Sequence, residues 1–159
     1  MLRCSGNWEV VRRVLARLWP QRRPPTASLH GAVPLLALVP EGPNRLALQS
    51  LLDRAAWALT LSDIPSTAAV PPIVIFDRDL FPGQWREILR EITAKSPRPY
   101  LIVLSAQADS NLWDEVQRAG GCDILRTPIT RDALAAALTK GRQIWFARQQ
   151  LRQAPAVRQ

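Results

Sequence analysis

The sequence predicts an α/β domain built on a parallel five-stranded sheet, and three observations carry that expectation. From about residue 34 onward, short apolar runs alternate with stretches of helical period. The densest of these runs, PIVIF at 72–76, is rich in the β-branched residues that favour a pleated, buried strand. At 159 residues, 47% of them apolar, the chain has material for one ordinary domain with a real core and room for tails. Strands and helices in strict alternation give a parallel sheet with helices on both faces.

The elements read as follows. LLALV (35–39) is a buried-strand run. The stretch 44–57 has helical period, with Leu48, Leu51, Leu52 and Ala55 on one face. ALTLS (58–62) is a weaker strand, and PIVIF follows. The helix expected over 84–93 turns Trp85, Ile88, Leu89 and Ile92 inward. YLIVLS (100–105) is a strand. The helix over 110–119 ends at Gly120-Gly121, DILR (123–126) is the last strand, and Thr130 can cap a final helix carrying Leu134, Leu138 and Trp145. Five such βα units, five strands and five helices, joined by right-handed crossovers, lead to the flavodoxin-like order 2-1-3-4-5.

Upstream of this domain, residues 7–19 place Trp8, Val11, Leu15, Leu18 and Trp19 on one side of a helix with arginines opposite. Asn7 can cap its start and Pro20 stops it. The expected organisation is a basic amphipathic helix over 1–19, a Pro/Arg-rich linker over 20–33, the α/β domain over 34–150 and a basic tail over 151–159.

The net charge of +8 is unevenly placed. Residues 1–31 contribute +5, residues 139–159 another +5, and the stretch between them −2. The basic ends suit contact with a polyanion or a membrane surface. No specific nucleic-acid partner is expected, since no helix-turn-helix and no basic stretch interleaved with aromatics is present. No apolar run approaches the length of a membrane span, and the N-terminal apolar stretch is broken by Arg12, Arg13 and Arg17, so no signal peptide is expected and the cytoplasm is the expected compartment. Cys4 and Cys122 make no disulfide framework, and a lone His30 without a Cys-x-x-Cys makes no zinc site. No His, Cys or Ser triad can be assembled, so enzyme chemistry of that kind is not expected.

In this fold the chemistry belongs beyond the carboxyl ends of strands 1 and 3, where the winding reverses. Pro40 and Glu41 follow the first strand; Asp77, Arg78 and Asp79 follow the third. The fourth ends at Ser105 and the fifth at Arg126-Thr127-Pro128. Three carboxylates and a hydroxyl at one sheet edge suit a hard cation such as Mg²⁺. There is no glycine-rich loop to cradle a nucleotide.

Four pieces of the sequence, in order and at matching intervals, resemble a response-regulator receiver domain. VPEGPNRLALQSLL (39–52) is similar to the family's acidic turn and first helix. IVIFDRDLFPG (73–83) is similar to the strand that ends in the phospho-acceptor aspartate, with its Pro-Gly turn. LIVLSA (101–106) and AGGCDILRTP (119–128) are similar to the last two strands. The resemblance runs from about residue 34 to 147. It implies Asp77 as phospho-acceptor and Mg²⁺ ligand, Glu41 as a second Mg²⁺ ligand and Ser105 as a phosphoryl-binding group, with Thr127 at the phosphoryl-binding position of the family's lysine. Asp79, two residues past Asp77, should return to the same face and is expected to add a compensating carboxylate to a weakened Mg²⁺ site. It further implies a stand-alone CheY-like receiver that takes its phosphoryl group from a sensor histidine kinase or phosphotransfer protein and signals to an output protein by contact. Two departures support an alternative reading, a phosphorylation-independent pseudo-receiver that acts as a protein-binding module, and a third weakens the coupling to output. Pro40 stands where the family has the first acid of its pair, Thr127 where it has a lysine, and Ile124 where it has an aromatic.

Overall fold

A computed structural model describes residues 31–62, 70–80 and 82–153. The expected N-terminal helix, nearly all of the linker and most of the C-terminal tail lie outside the described residues. The order of elements is β1 (Val33–Leu38), α1 (Pro43–Leu51), β2 (Trp57–Ser62), β3 (Ile73–Asp77), a 3-10 turn (Arg78–Leu80), α2 (Trp85–Thr93), β4 (Tyr100–Ser105), α3 (Ser110–Ala119), β5 (Asp123–Arg126) and α4 (Arg131–Gln153). All strands are parallel and the order across the sheet is β2-β1-β3-β4-β5, as the alternation predicts.

Side-chain alternation along the strands divides the core into two layers. Val33, Leu35, Ala37 and Val39 of the first strand and its exit meet Leu48 and Leu52 around α1 and Leu134, Ala137 and Leu138 of α4. Leu36 and Leu38 point the other way, with Val74, Phe76, Leu101 and Val103, and are covered by α2 and α3. β3 and β4 are buried along their whole length because both faces are roofed by helices.

β1 starts two residues earlier than the apolar run suggests and takes in Pro34. A proline in a central strand should break a ladder. Here the Val33 and Val39 N–H groups donate to Ala56 and Ser62 on the β2 side, so the missing Pro34 donor would face β3. The ladder to β3 begins only at Leu35–Ile73, so no hydrogen bond is lost.

α1 stops at Leu51 rather than running to Trp57. The Asp53 carboxylate accepts the Ala55 N–H at 2.9 Å, and the Asp53 carbonyl accepts from Ala56 and Trp57. This local turn outcompetes another helical turn, and Trp57 becomes the first residue of β2. Four helices, not five, appear among the described residues. The connection from β2 to β3 has ten residues with Pro65, Pro71 and Pro72 among them, of which only 70–72 are described and none is helical. The β2 residues on that face are Ala58 and Thr60, small and exposed, while Trp57, Leu59 and Leu61 face the α1–α4 layer.

The remaining boundaries follow local chemistry. Asp109 caps α3 by accepting the Leu112 N–H at 2.8 Å. Gly120 closes the helix in the left-handed region at φ 98°, where a Cβ would also lie 2.6 Å from the Thr93 hydroxyl. Thr130 caps α4 through the Ala133 N–H at 3.3 Å. No described helix is long and apolar enough to cross a membrane.

Candidate functional site

The carboxyl ends of β1, β3, β4 and β5 lie side by side, and the residues singled out from the sequence fall along that edge. Asp77 closes β3 and is only 4% exposed. A carboxylate taken out of water needs hydrogen bonds to replace hydration, and Asp77 has them from uncharged donors. The Asn44 side-chain amide donates to Oδ2 at 3.1 Å and the Asp79 backbone N–H to Oδ1 at 3.0 Å. Asn44 reaches Asp77 because α1 opens at Pro43, directly beyond the end of β1. Asp79 comes back to Asp77 because the strand turns at once into the 3-10 segment, whose N–H groups point at the strand end.

Ser105 closes β4 and is 3% exposed. Its Oγ accepts the Gln107 N–H at 3.1 Å and lies 3.5 Å from an Arg78 guanidinium nitrogen. Thr127, half-buried just past β5, donates its N–H to the Ser105 carbonyl at 3.1 Å. The Thr127–Pro128 peptide is cis. Glu41 is exposed on the loop after β1, and Asp79 is exposed as well. Asp77 and Ser105 are thus the two buried polar residues of the described core, at the ends of adjacent strands, with Ser105 one residue beyond Leu104, the ladder partner of Asp77.

The acidic side chains at this edge do not converge on one point among the described residues. A Mg²⁺ site needs several converging oxygen ligands. Glu41, Asp77 and Asp79 do not gather, and no three acidic, histidine or cysteine side chains do so among the described residues. The Asp77 carboxylate is met at this edge by the Asn44 amide.

Two residues at the edge were not marked by sequence reading. Asn44 looked like an ordinary first-turn residue; its signal is its place three residues after Glu41, at the mouth of the switch point. Strand alternation alone would turn Arg78, the residue after Asp77, away from the site. The strand ends at Asp77, alternation ends with it, and the guanidinium swings to Ser105 while lying 6.0 Å above the Trp85 ring. Arg126, the last residue of β5, is exposed.

Comparison with known proteins gives the fold a family resemblance without a close relative. No family pattern matches the chain, and no curated protein does. Solved structures match well. The signal receiver domain of an HD domain-containing protein from Pseudomonas fluorescens is 19% identical with a TM-score of 0.62, over 74% of this chain and 98% of that one. The receiver domain of a sensor histidine kinase from Pseudomonas aeruginosa, which holds magnesium in its active-site cleft, is 21% identical with a TM-score of 0.56, over 69% and 97%. A pilus assembly-related protein from Burkholderia pseudomallei is 16% identical with a TM-score of 0.58, over 73% and 93%. The fold of this chain is the flavodoxin-like fold of CheY-like response-regulator receiver domains.

Proposed function

We propose that the chain is a receiver-fold signalling module that works through protein–protein contact and does not depend on phosphoryl turnover at Asp77. The observation that carries this reading is the state of the Asp77 carboxylate, buried and with each oxygen already paired to an uncharged donor. The transferred phosphoryl group needs cations to neutralise its developing charge, and the Asn44 and Asp79 donors to Asp77 are uncharged. Glu41 is exposed, Pro40 has no carboxylate and Thr127 no ammonium. The receiver fold also occurs in a pilus assembly-related protein, so the fold does not by itself commit the chain to a phosphorelay.

The phosphorelay reading keeps one specific support. Asp77 and Ser105 stand at the ends of β3 and β4 where the resemblance places acceptor and hydroxyl, and Arg78 brings a positive charge to Ser105. In that reading a sensor histidine kinase or phosphotransfer protein supplies the group, Mg²⁺ assists weakly, and contact with an output protein follows.

The deciding experiment is incubation of the full chain with Mg²⁺ and acetyl phosphate, read by intact mass beside an ordinary receiver. The expected result is an unmodified chain under conditions that label the control. One added phosphoryl mass, abolished by Asp77→Asn, would replace the first reading with the second. A label that persists in Asp77→Asn would move the acceptor to another residue, Asp79 first.

A further inference from the structure

On the face away from α2 and α3, a groove of about 500 Å³ runs between the end of α1 and α4. Leu51, Leu52 and Trp57 form one side, and Leu134, Leu138 and Phe146 the other. Leu134 and Leu138 are the closed floor, while Trp57 and Phe146 are half-buried flanks with ring surface left open. Asp53, Arg131 and Arg142 form a polar rim, with Arg142 lying 5.4 Å over the Phe146 ring. Aromatic flanks around an aliphatic floor make a site for an apolar helix face rather than for a polar ligand.

We infer that this groove is the docking site of the chain's own segment 7–19. Three observations favour that occupant. The chain enters the sheet at Val33, which pairs with Trp57 and donates its N–H to Ala56, so everything upstream arrives beside one flank of the groove. The segment carries an apolar stripe of matching character, Trp8, Val11, Leu15, Leu18 and Trp19, which needs a surface to cover it. The intervening residues 20–32 reach at most roughly 47 Å. The groove stretch of α4 from Leu134 to Phe146 is about 18 Å long, so both ends are within range. A tether of this length holds the segment at roughly millimolar effective concentration, which makes even a weak contact well populated. A second copy of the chain is the poorer occupant. Two-fold pairing of this face would bring the Arg131 and Arg142 rims of two chains, each of net charge +8, into one interface.

The native Cys4 lies three residues ahead of the segment and provides the probe. In the full chain carrying Cys122→Ser (or Cys122→Ala, should the hydroxyl disturb packing), a nitroxide on Cys4 should broaden amide signals of residues 53–57 and 134–146. Signals of α2 and α3, across the sheet, should keep their intensity. Broadening should be unchanged on dilution and lost in Leu15→Asp/Leu18→Asp. Broadening that is absent from the groove, or that falls on α2 and α3, would overturn the assignment. Broadening that fades on dilution and appears between separately labelled chains would also overturn it, in favour of a second copy.

Discussion

Asp77 shows how a receiver-like edge is rebuilt by single residues. Its charge is balanced by dipoles, the Asn44 amide and the Asp79 N–H. Asn44→Asp should therefore create what the chain lacks. A second carboxylate about 3 Å from Asp77 removes one donor and adds like-charge repulsion, for an expected loss of roughly 1–3 kcal/mol in metal-free buffer. Mg²⁺ should restore much of that loss in the variant and leave the midpoint of the wild-type chain unchanged. A wild-type midpoint that rises with submillimolar Mg²⁺ would contradict the neutral-donor account. Asp77 and Ser105 were legible in the sequence because the switch-point rule needs only strand ends. Asn44 and Arg78 were not, because each acts from just beyond a strand, where the helix start and the 3-10 turn fix direction and period-2 alternation has lapsed. Tyr100, the chain's lone tyrosine, gives a second residue-scale expectation. Burial first, then the neighbouring Asp123 carboxylate, push its phenol up to about 12 from 10.0. The neutral phenol is the form the fold favours, so the stabilisation is complete below pH 10 and is lost as pH rises from about 10 through about 12. A shift of that size corresponds to roughly 2–3 kcal/mol. Phenolate absorbance should rise only near pH 12, and Tyr100→Phe should flatten the alkaline loss of stability. A phenolate transition near pH 10 in the folded chain would contradict it.

The elements themselves were legible in type and less so in extent. β4 and α3 follow their apolar periods residue for residue, since a central strand and a capped helix leave the chain few alternatives. The departures come from interactions that hydrophobic pattern does not encode. Asp53 ends α1 through its own side chain, and Pro34 joins β1 because its missing donor faces a gap in the ladder. Five regular βα units would need a helix between β2 and β3, where the connection holds three prolines. α4 shows packing at work within one element. Gly141 is buried where the helix crosses the sheet, and a Cβ there would lie 2.8 Å from the Tyr100 ring and 3.2 Å from Ile73. Gly141→Ala would gain up to about 1 kcal/mol of helix propensity. Forcing α4 away from β4 costs more, typically about 1–3 kcal/mol for overpacking. The net expectation is a destabilised protein with unchanged helix content, measured by denaturant unfolding. A more stable variant would show that α4 shifts freely on the sheet.

At the scale of the whole molecule, the charge pattern and the fold pull in the same direction. The acidic middle is the part that folds into the sheet, and the described basic residues of the C-terminal end belong to α4. β1 begins at Val33, already 1% exposed, and both core layers are closed by α1, α2, α3 and α4. Removing residues 1–31 should therefore leave a single cooperative unfolding transition, because no strand or helix of the sheet is interrupted. It should not leave the protein unchanged. The deletion takes away five of the eight net positive charges and, if segment 7–19 covers the α1–α4 groove, uncovers Trp57 and Phe146. The truncated chain should lose about 1–2 kcal/mol, in keeping with the partial burial of two or three apolar side chains. It should also bind a hydrophobic dye that the full chain excludes. Equal stability and equal dye binding would separate the segment from the groove while leaving the domain intact. Loss of the cooperative transition would mean that the Trp8 to Trp19 stripe belongs to the core, and that the sheet is not an independent unit.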